Sequence, residues 1–60
     1  MNEKLKAAGF RIIRPDNYPS PRIKEWDKDR SWKTIEKFDT KAARDRRIDE
    51  LLQNDKIVML

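Results

Sequence analysis

The stretch Arg22-Ile23-Lys24-Glu25-Trp26-Asp27-Lys28-Asp29-Arg30-Ser31-Trp32-Lys33-Thr34-Ile35-Glu36-Lys37-Phe38 decides the fold. Residues 22–27 and 31–38 each alternate in side-chain type, and the polar run Lys28-Asp29-Arg30 separates them. Alternation with period two marks an extended strand. The stretch therefore reads as a β-hairpin with its tip at 28–30. In the first strand the even positions are Arg22, Lys24 and Trp26, continued by Lys28 and Arg30. The odd positions are Ile23, Glu25 and Asp27, continued by Asp29. Successive side chains point to opposite faces, so this strand has a basic face around a Trp and an acidic face around an Ile.

Two hairpin registers are open, and they imply different roles. In the first, Trp26 faces Lys33, Lys24 faces Ile35 and Arg22 faces Lys37. That register builds a basic sheet face bearing Trp26, while Ile23, Trp32 and Phe38 turn toward a helix. In the second, Trp26 faces Trp32, Arg22 faces Glu36 and Glu25 faces Lys33. That register offers an aromatic pair and two opposite-charge pairs, each contributing about 0.2–1 kcal/mol. It has the better local chemistry and makes both Trp residues core. A one-residue slip exchanges every side chain between faces, so the register decides whether a binding face exists.

Outward from the hairpin, Asp39 to Asn54 reads as a helix. Asp39 is the expected N-cap, with Phe38 packing on Ala43 as a hydrophobic staple. Ile48, Leu51 and Leu52 give a narrow apolar stripe, with Lys41 and Arg44 at its margin. Lys41 with Asp45, and Arg46 with Glu50, are candidate i,i+4 ion pairs. Arg44, Arg46 and Arg47 are read as a solvated helix surface, because acids interleave with them. Lys56 to Leu60 reads as a last strand. On the other side, Phe10 to Arg14 reads as a first strand ended by Pro15. Three prolines among residues 15–21 deny that segment a helix. Tyr18-Pro19 is a candidate cis bond, with trans the expected form. Residues 1–9 form a tail or a short helix capped by Asn2 and stopped by Gly9.

The expected fold class is α+β. Residues 10–60 form one small domain, an antiparallel sheet with one packed helix in the order β-β-β-α-β. The chain has 60 residues, 15 Lys plus Arg, 11 Asp plus Glu and a net charge of +4. A domain this size is marginal alone and often needs a disulfide, a metal or a partner. No Cys and no His are present, which removes disulfides and the usual zinc ligands. They also remove thiolate nucleophiles and the usual near-neutral general base. The single Gly leaves no phosphate-cradling glycine loop. An enzyme, a cofactor and a small-molecule substrate are not expected. No apolar run approaches the length of a membrane span, and the N-terminus lacks the apolar core of a signal peptide. The expected location is the cytoplasm, with no membrane partner.

The run Lys37-Phe38-Asp39-Thr40-Lys41-Ala42-Ala43, preceded by a hairpin and followed by a helix to Leu52, carries a resemblance. From about Lys24 to Leu52 the chain resembles the arm-type, AP2-like DNA-binding domain of tyrosine recombinases. In that family an aromatic, a Thr, a Lys and an Ala mark the step from the third strand into the helix. The resemblance implies that the sheet, not the helix, enters a DNA groove. Its implied contacts are Arg22, Lys24, Trp26, Lys33 and Lys37. The chain departs from the family in having Lys28-Asp29-Arg30 in place of turn glycines, and in its apparent fourth strand.

The leading expected function is nucleic-acid binding, with duplex DNA favoured, in an accessory or regulatory role. Its candidate residues are Arg22, Lys24, Trp26, Lys28, Arg30, Lys33 and Lys37. Their cations would neutralise phosphates, and the ring would stack or fill a groove contact. The alternative is a protein-interaction module or small inhibitor. It would act through Ile57, Val58, Met59 and Leu60, with a homodimer formed by edge pairing or with a protein partner.

Overall fold

The computed structural model describes residues 2–27 and 31–60. The elements are α1 (Asn2–Ala7), β1 (Arg11–Asp16), β2 (Arg22–Trp26), β3 (Trp32–Lys37), α2 (Lys41–Leu51) and β4 (Ile57–Met59). The α+β class and the β-β-β-α-β order hold, with α1 added at the front. The hairpin tip, including Lys28 and Arg30, lies outside the described residues.

The strands form one sheet in the order β3-β2-β1-β4. β1 and β2 pair antiparallel, as do β2 and β3. β4 pairs parallel with β1, Arg11 opposite Ile57 and Ile13 opposite Met59. The sheet is therefore mixed, not antiparallel throughout. A short apolar run carries no sign of its direction. The connection through α2 brings β4 back beside β1 pointing the same way.

Each boundary has a local cause. In α1, Gly9 takes φ +91, the left-handed conformation that a helix stop demands. The Phe10 N–H donates to the Leu5 carbonyl and the Gly9 N–H to the Lys6 carbonyl, both at 3.0 Å. This is a Schellman stop. β1 runs through Pro15, contrary to the expected end there. The Arg11 N–H donates toward β4, and the Ile13 carbonyl accepts from Leu60. Alternation places the Pro15 nitrogen on that same side, beyond the last β4 pair at Ile13. The missing N–H therefore costs no ladder bond. The Tyr18-Pro19 bond is cis rather than the expected trans.

α2 begins one residue later than expected. Thr40, not Asp39, is the N-cap, with extended φ −134 and ψ 154. Its Oγ1 accepts from the Ala43 N–H at 3.1 Å, a cap worth about 1 kcal/mol. The helix ends at Leu51, short of Asn54. Ile48 is buried and Leu51 packs on the core. Leu52 is more than a third exposed and leaves the predicted stripe.

The core is small. Ile13, Ile23, Ile48 and Ile57 form it, with Phe38 and Leu51 packed against them. Ile13 and Ile23 come from adjacent central strands and are fully buried, so one sheet face meets α2. Arg44 fills the buried helix position one turn before Ile48. Its Nη1 donates to the Asp16 carbonyl at 2.9 Å and to Asn17 Oδ1 at 2.7 Å. Its Nε donates to Asp45 Oδ1 at 3.1 Å. Arg44 is thus a bolt between the helix and the proline segment rather than part of a solvated surface. Arg47 reaches Glu36 Oε2 and Glu50 Oε2, each at 3.1 Å. Asp45 and Glu50 therefore pair with Arg44 and Arg47, where Lys41 and Arg46 were expected. Among the described residues no helix is long and apolar enough to cross a membrane.

Candidate nucleic-acid interface

The hairpin adopts both registers, one at each end. At the tip Trp26 faces Trp32, Glu25 faces Lys33 and Lys24 faces Thr34. At the base Ile23 faces Glu36 and Arg22 faces Lys37. The register shifts between Ile23 and Lys24, so Ile35 is the extra residue of a β-bulge in β3.

The bulge decides what shares a face. Ile13, Ile23 and Ile57 pack on α2, so alternation sends Ile12, Arg14 and Asp16 to the opposite face. Arg22, Lys24 and Trp26 join them through the β1–β2 register. Trp32, Thr34 and Lys37 join through the β2–β3 register. The face away from α2 therefore carries Arg14, Arg22, Lys24 and Lys37, with Asp16 as the carboxylate among its strand residues. Glu25, Asp27 and Glu36 fall on the helix side.

The predicted residues divide accordingly. Arg22, Lys24, Trp26 and Lys37 come together on one face. Lys33 does not join them. It lies opposite Glu25 on the other face and bridges to Asp27 Oδ2 at 2.9 Å. Trp32, expected to turn toward the helix in one register and into the core in the other, is half-buried on the far face. Arg14 belongs to the face and was missed, because β1 was read for its apolar content alone. The parity of Arg14 with Ile12 was the available signal.

Aromatic geometry orders the upper part of this face. Trp26 and Trp32 meet edge to face, with centroids 5.3 Å apart and planes at 67°. Such a pair contributes about 0.5–1.5 kcal/mol beyond its area. The Arg14 guanidinium stacks on Trp32, 4.6 Å from the ring centroid, a cation–π contact. Arg14 Nε is buried and has no hydrogen-bond partner. Ile12, on the same face, is fully buried.

The other cations differ in how they are neutralised. Lys24 bridges to Asp16 Oδ2 at 2.8 Å. That ammonium, with the Asn17 N–H, holds the Asp16 carboxyl down at about 2. Glu25 is also held below the carboxylate range, first by Arg11 and then by Lys6. A carboxyl depressed in the folded state stabilises the fold above its unfolded value. That contribution is lost as pH falls through the folded value. Stability should thus hold above about pH 5 and fall progressively toward pH 2. Acid unfolding followed by Trp fluorescence should show this, with a shallower acid limb in Asp16→Asn. An unchanged limb in that variant would remove Asp16 from the account.

Lys37 is exposed and has no acidic partner among the described residues. Arg22 is only 9% exposed. Its Nε donates to the Ser20 carbonyl at 3.0 Å and its Nη2 to Ser20 Oγ at 3.1 Å. Both partners are neutral.

The residues of the alternative reading sit at the other edge. Ile57 is buried and Val58 half-buried, while Met59 is 50% and Leu60 63% exposed. Among the described residues no group of three or more His, Cys, Asp or Glu is placed to hold a metal ion. No protein-family model, curated protein or solved structure matches the chain.

Proposed function

We propose that the protein binds nucleic acid, duplex DNA above all, through the sheet face opposite α2. One observation carries the reading. The bulged register gathers Arg14, Arg22, Lys24 and Lys37 on that face beside the Trp26–Trp32 pair. The hairpin acids fall on the helix side, where Arg11, Lys33 and Arg47 meet them. Charge sorted by face gives a field that attracts a polyanion, whatever the modest net charge. The indole edges and the Arg14 plane supply surfaces for bases or sugars. This keeps the sheet-in-groove mode implied by the resemblance to arm-type domains, and an accessory or regulatory role in the cytoplasm suits a domain with no expected chemistry of its own.

Titrating a short duplex with salt tests the reading. Arg14→Gln/Lys24→Gln should lower the slope of log K against log salt by about 2, roughly 0.9 for each phosphate contact. Lys33→Gln, on the other face, should leave the slope unchanged. A slope that responds to Lys33 and not to the face pair would place the interface elsewhere.

A second reading rests on β4. Backbone alternation turns the Ile57 carbonyl and the Met59 N–H and carbonyl away from β1, on an uncharged edge with Met59 and Leu60 exposed. A homodimer by edge pairing, or a protein partner adding a strand, would use these groups. Sedimentation equilibrium should then show a mass that rises with concentration, and Met59→Lys should abolish the rise. A constant monomer mass counts against the dimer.

A further inference from the structure

The base of the hairpin holds an arrangement that the fold alone does not explain. A straight ladder continued from Lys24 opposite Thr34 would set Glu36 across from Arg22, an opposite-charge pair. The bulge at Ile35 replaces Glu36 with Lys37. It sends Glu36 to the helix side, where Arg47 takes it at 3.1 Å. Arg22 and Lys37 are left directly opposite each other, and like charges in that position destabilise a sheet, offset in part by Asp16 opposite Arg22 on the β1 side.

Arg22 adds a second, independent sign. A buried charge is normally paired with an opposite one. Arg44, the other buried arginine among the described residues, has Asp45 at 3.1 Å. Arg22 is nine-tenths buried yet bonds only the carbonyl and hydroxyl of Ser20. Its Nη1 has no protein partner among the described residues and is open to solvent, unlike the buried Arg14 Nε. Ser20 and Lys37 also line an open concavity of about 740 Å³, together with Asp39 and, on its helix side, Thr40. Arg22 lies behind this concavity rather than in its lining, tied to it through Ser20. Asp16 is its cross-strand neighbour on β1 but bridges to Lys24, so no carboxylate forms an ion pair with Arg22 among the described residues.

We infer that Arg22, Lys37 and Ser20 form an anchor for one phosphate group, which would supply the direct ion pair that Asp16, held by Lys24, does not give Arg22. This deepens the sheet-face reading and rests on it for the source of the phosphate, a backbone phosphodiester. Lys37 makes the direct contact. Arg22, largely buried and held by Ser20, supplies a fixed charge behind it, and Ser20 donates its hydroxyl proton. The device trades stability of the free protein for affinity.

The test uses the whole chain with two probes, a 16-base-pair duplex and inorganic phosphate. Lys37→Gln should melt no lower than the parent, because it removes a repulsion. Its duplex affinity should fall about fivefold to tenfold at roughly 0.1 M salt, with the salt slope reduced by about 0.9. Lys37→Arg should restore both. Phosphate should shift the Arg22 Nε–H resonance in the parent and not in Lys37→Gln. If the parent binds duplex but Lys37→Gln keeps its affinity and slope, the anchor is overturned and the sheet-face reading stands. If phosphate moves Arg22 but duplex does not bind, the anchor stands and the nucleic-acid reading falls. If phosphate leaves Arg22 unmoved, the anchor is overturned on its own account.

Discussion

Ile23→Ala is expected to remove about 2–5 kcal/mol of stability, the usual cost of emptying a fully buried aliphatic site. A 60-residue chain at typical stability per residue has about 3–9 kcal/mol in total. One such substitution therefore leaves a large unfolded fraction at ambient temperature. The site is chosen for its place. Ile23 lies on β2 between β1 and β3, is fully buried and sits in the core with Ile48. It also adjoins the register shift, so its loss loosens the base of the hairpin. Urea unfolding followed by Trp fluorescence would measure the change. Ile23→Val should cost about 0.5–1.5 kcal/mol. A change under 1 kcal/mol in Ile23→Ala would mean that the helix does not pack on this strand.

Arg44→Ala is expected to cost about 3 kcal/mol, through a different mechanism. Arg44 is 6% exposed and donates to the Asp16 carbonyl, Asn17 Oδ1 and Asp45 Oδ1. Hydrogen bonds from a charged group are worth about 1.5–3 kcal/mol each, less where the partner is solvated. Asp45 is solvated, so the Asp16 and Asn17 bonds dominate. Losing them frees the proline segment from α2 and leaves the Asp16 carbonyl without this donor. The same segment carries Ser20, which holds Arg22. Arg44→Ala should therefore broaden the Arg22 Nε–H resonance as well as lower the melting temperature. Arg44→Lys keeps the charge but not the fork, and should recover less than half of the loss. Equal stability of Arg44→Ala and the parent would make the bolt superfluous.

How much of this was legible in the sequence differs from element to element. α2 was visible because Ile48 and Leu51 recur at helical spacing behind a capping residue, and the Thr40 cap differs from Asp39 by one position. The strands of the hairpin were visible because their side chains alternate. Their register was not. Alternation cannot reveal a bulge, since an extra residue simply reverses parity partway along β3. Both registers had favourable pairs, and the fold takes the Trp pair from one and the Arg22–Lys37 opposition from the other. The direction of β4 was equally invisible, because Ile57-Val58-Met59 reads the same in a parallel or antiparallel ladder. Pro15 misled because its cost depends on which neighbour its nitrogen faces.

The candidate site shows the same division. Arg22, Lys24 and Trp26 share a face because they share parity within one strand, which sequence supplies directly. Lys33 and Lys37 have the same parity yet part company, because the bulge at Ile35 lies between them. Arg14 joins from another strand, a placement that only sheet order provides. Arg44 looked like one cation in a solvated cluster. Its helix position one turn before Ile48 was the sign that it faces inward.

The central claim is that the face opposite α2 binds the nucleic-acid backbone. The most direct measurement is the affinity of the unmodified protein for a short duplex across a salt series, followed by Trp fluorescence. With about three phosphate contacts, at Arg14, Lys24 and the Lys37 anchor, log K should fall with a slope of roughly −2.7 against log salt, or about 40-fold between about 50 and 200 mM. A flat dependence, or no binding at about 50 mM salt, would contradict the account.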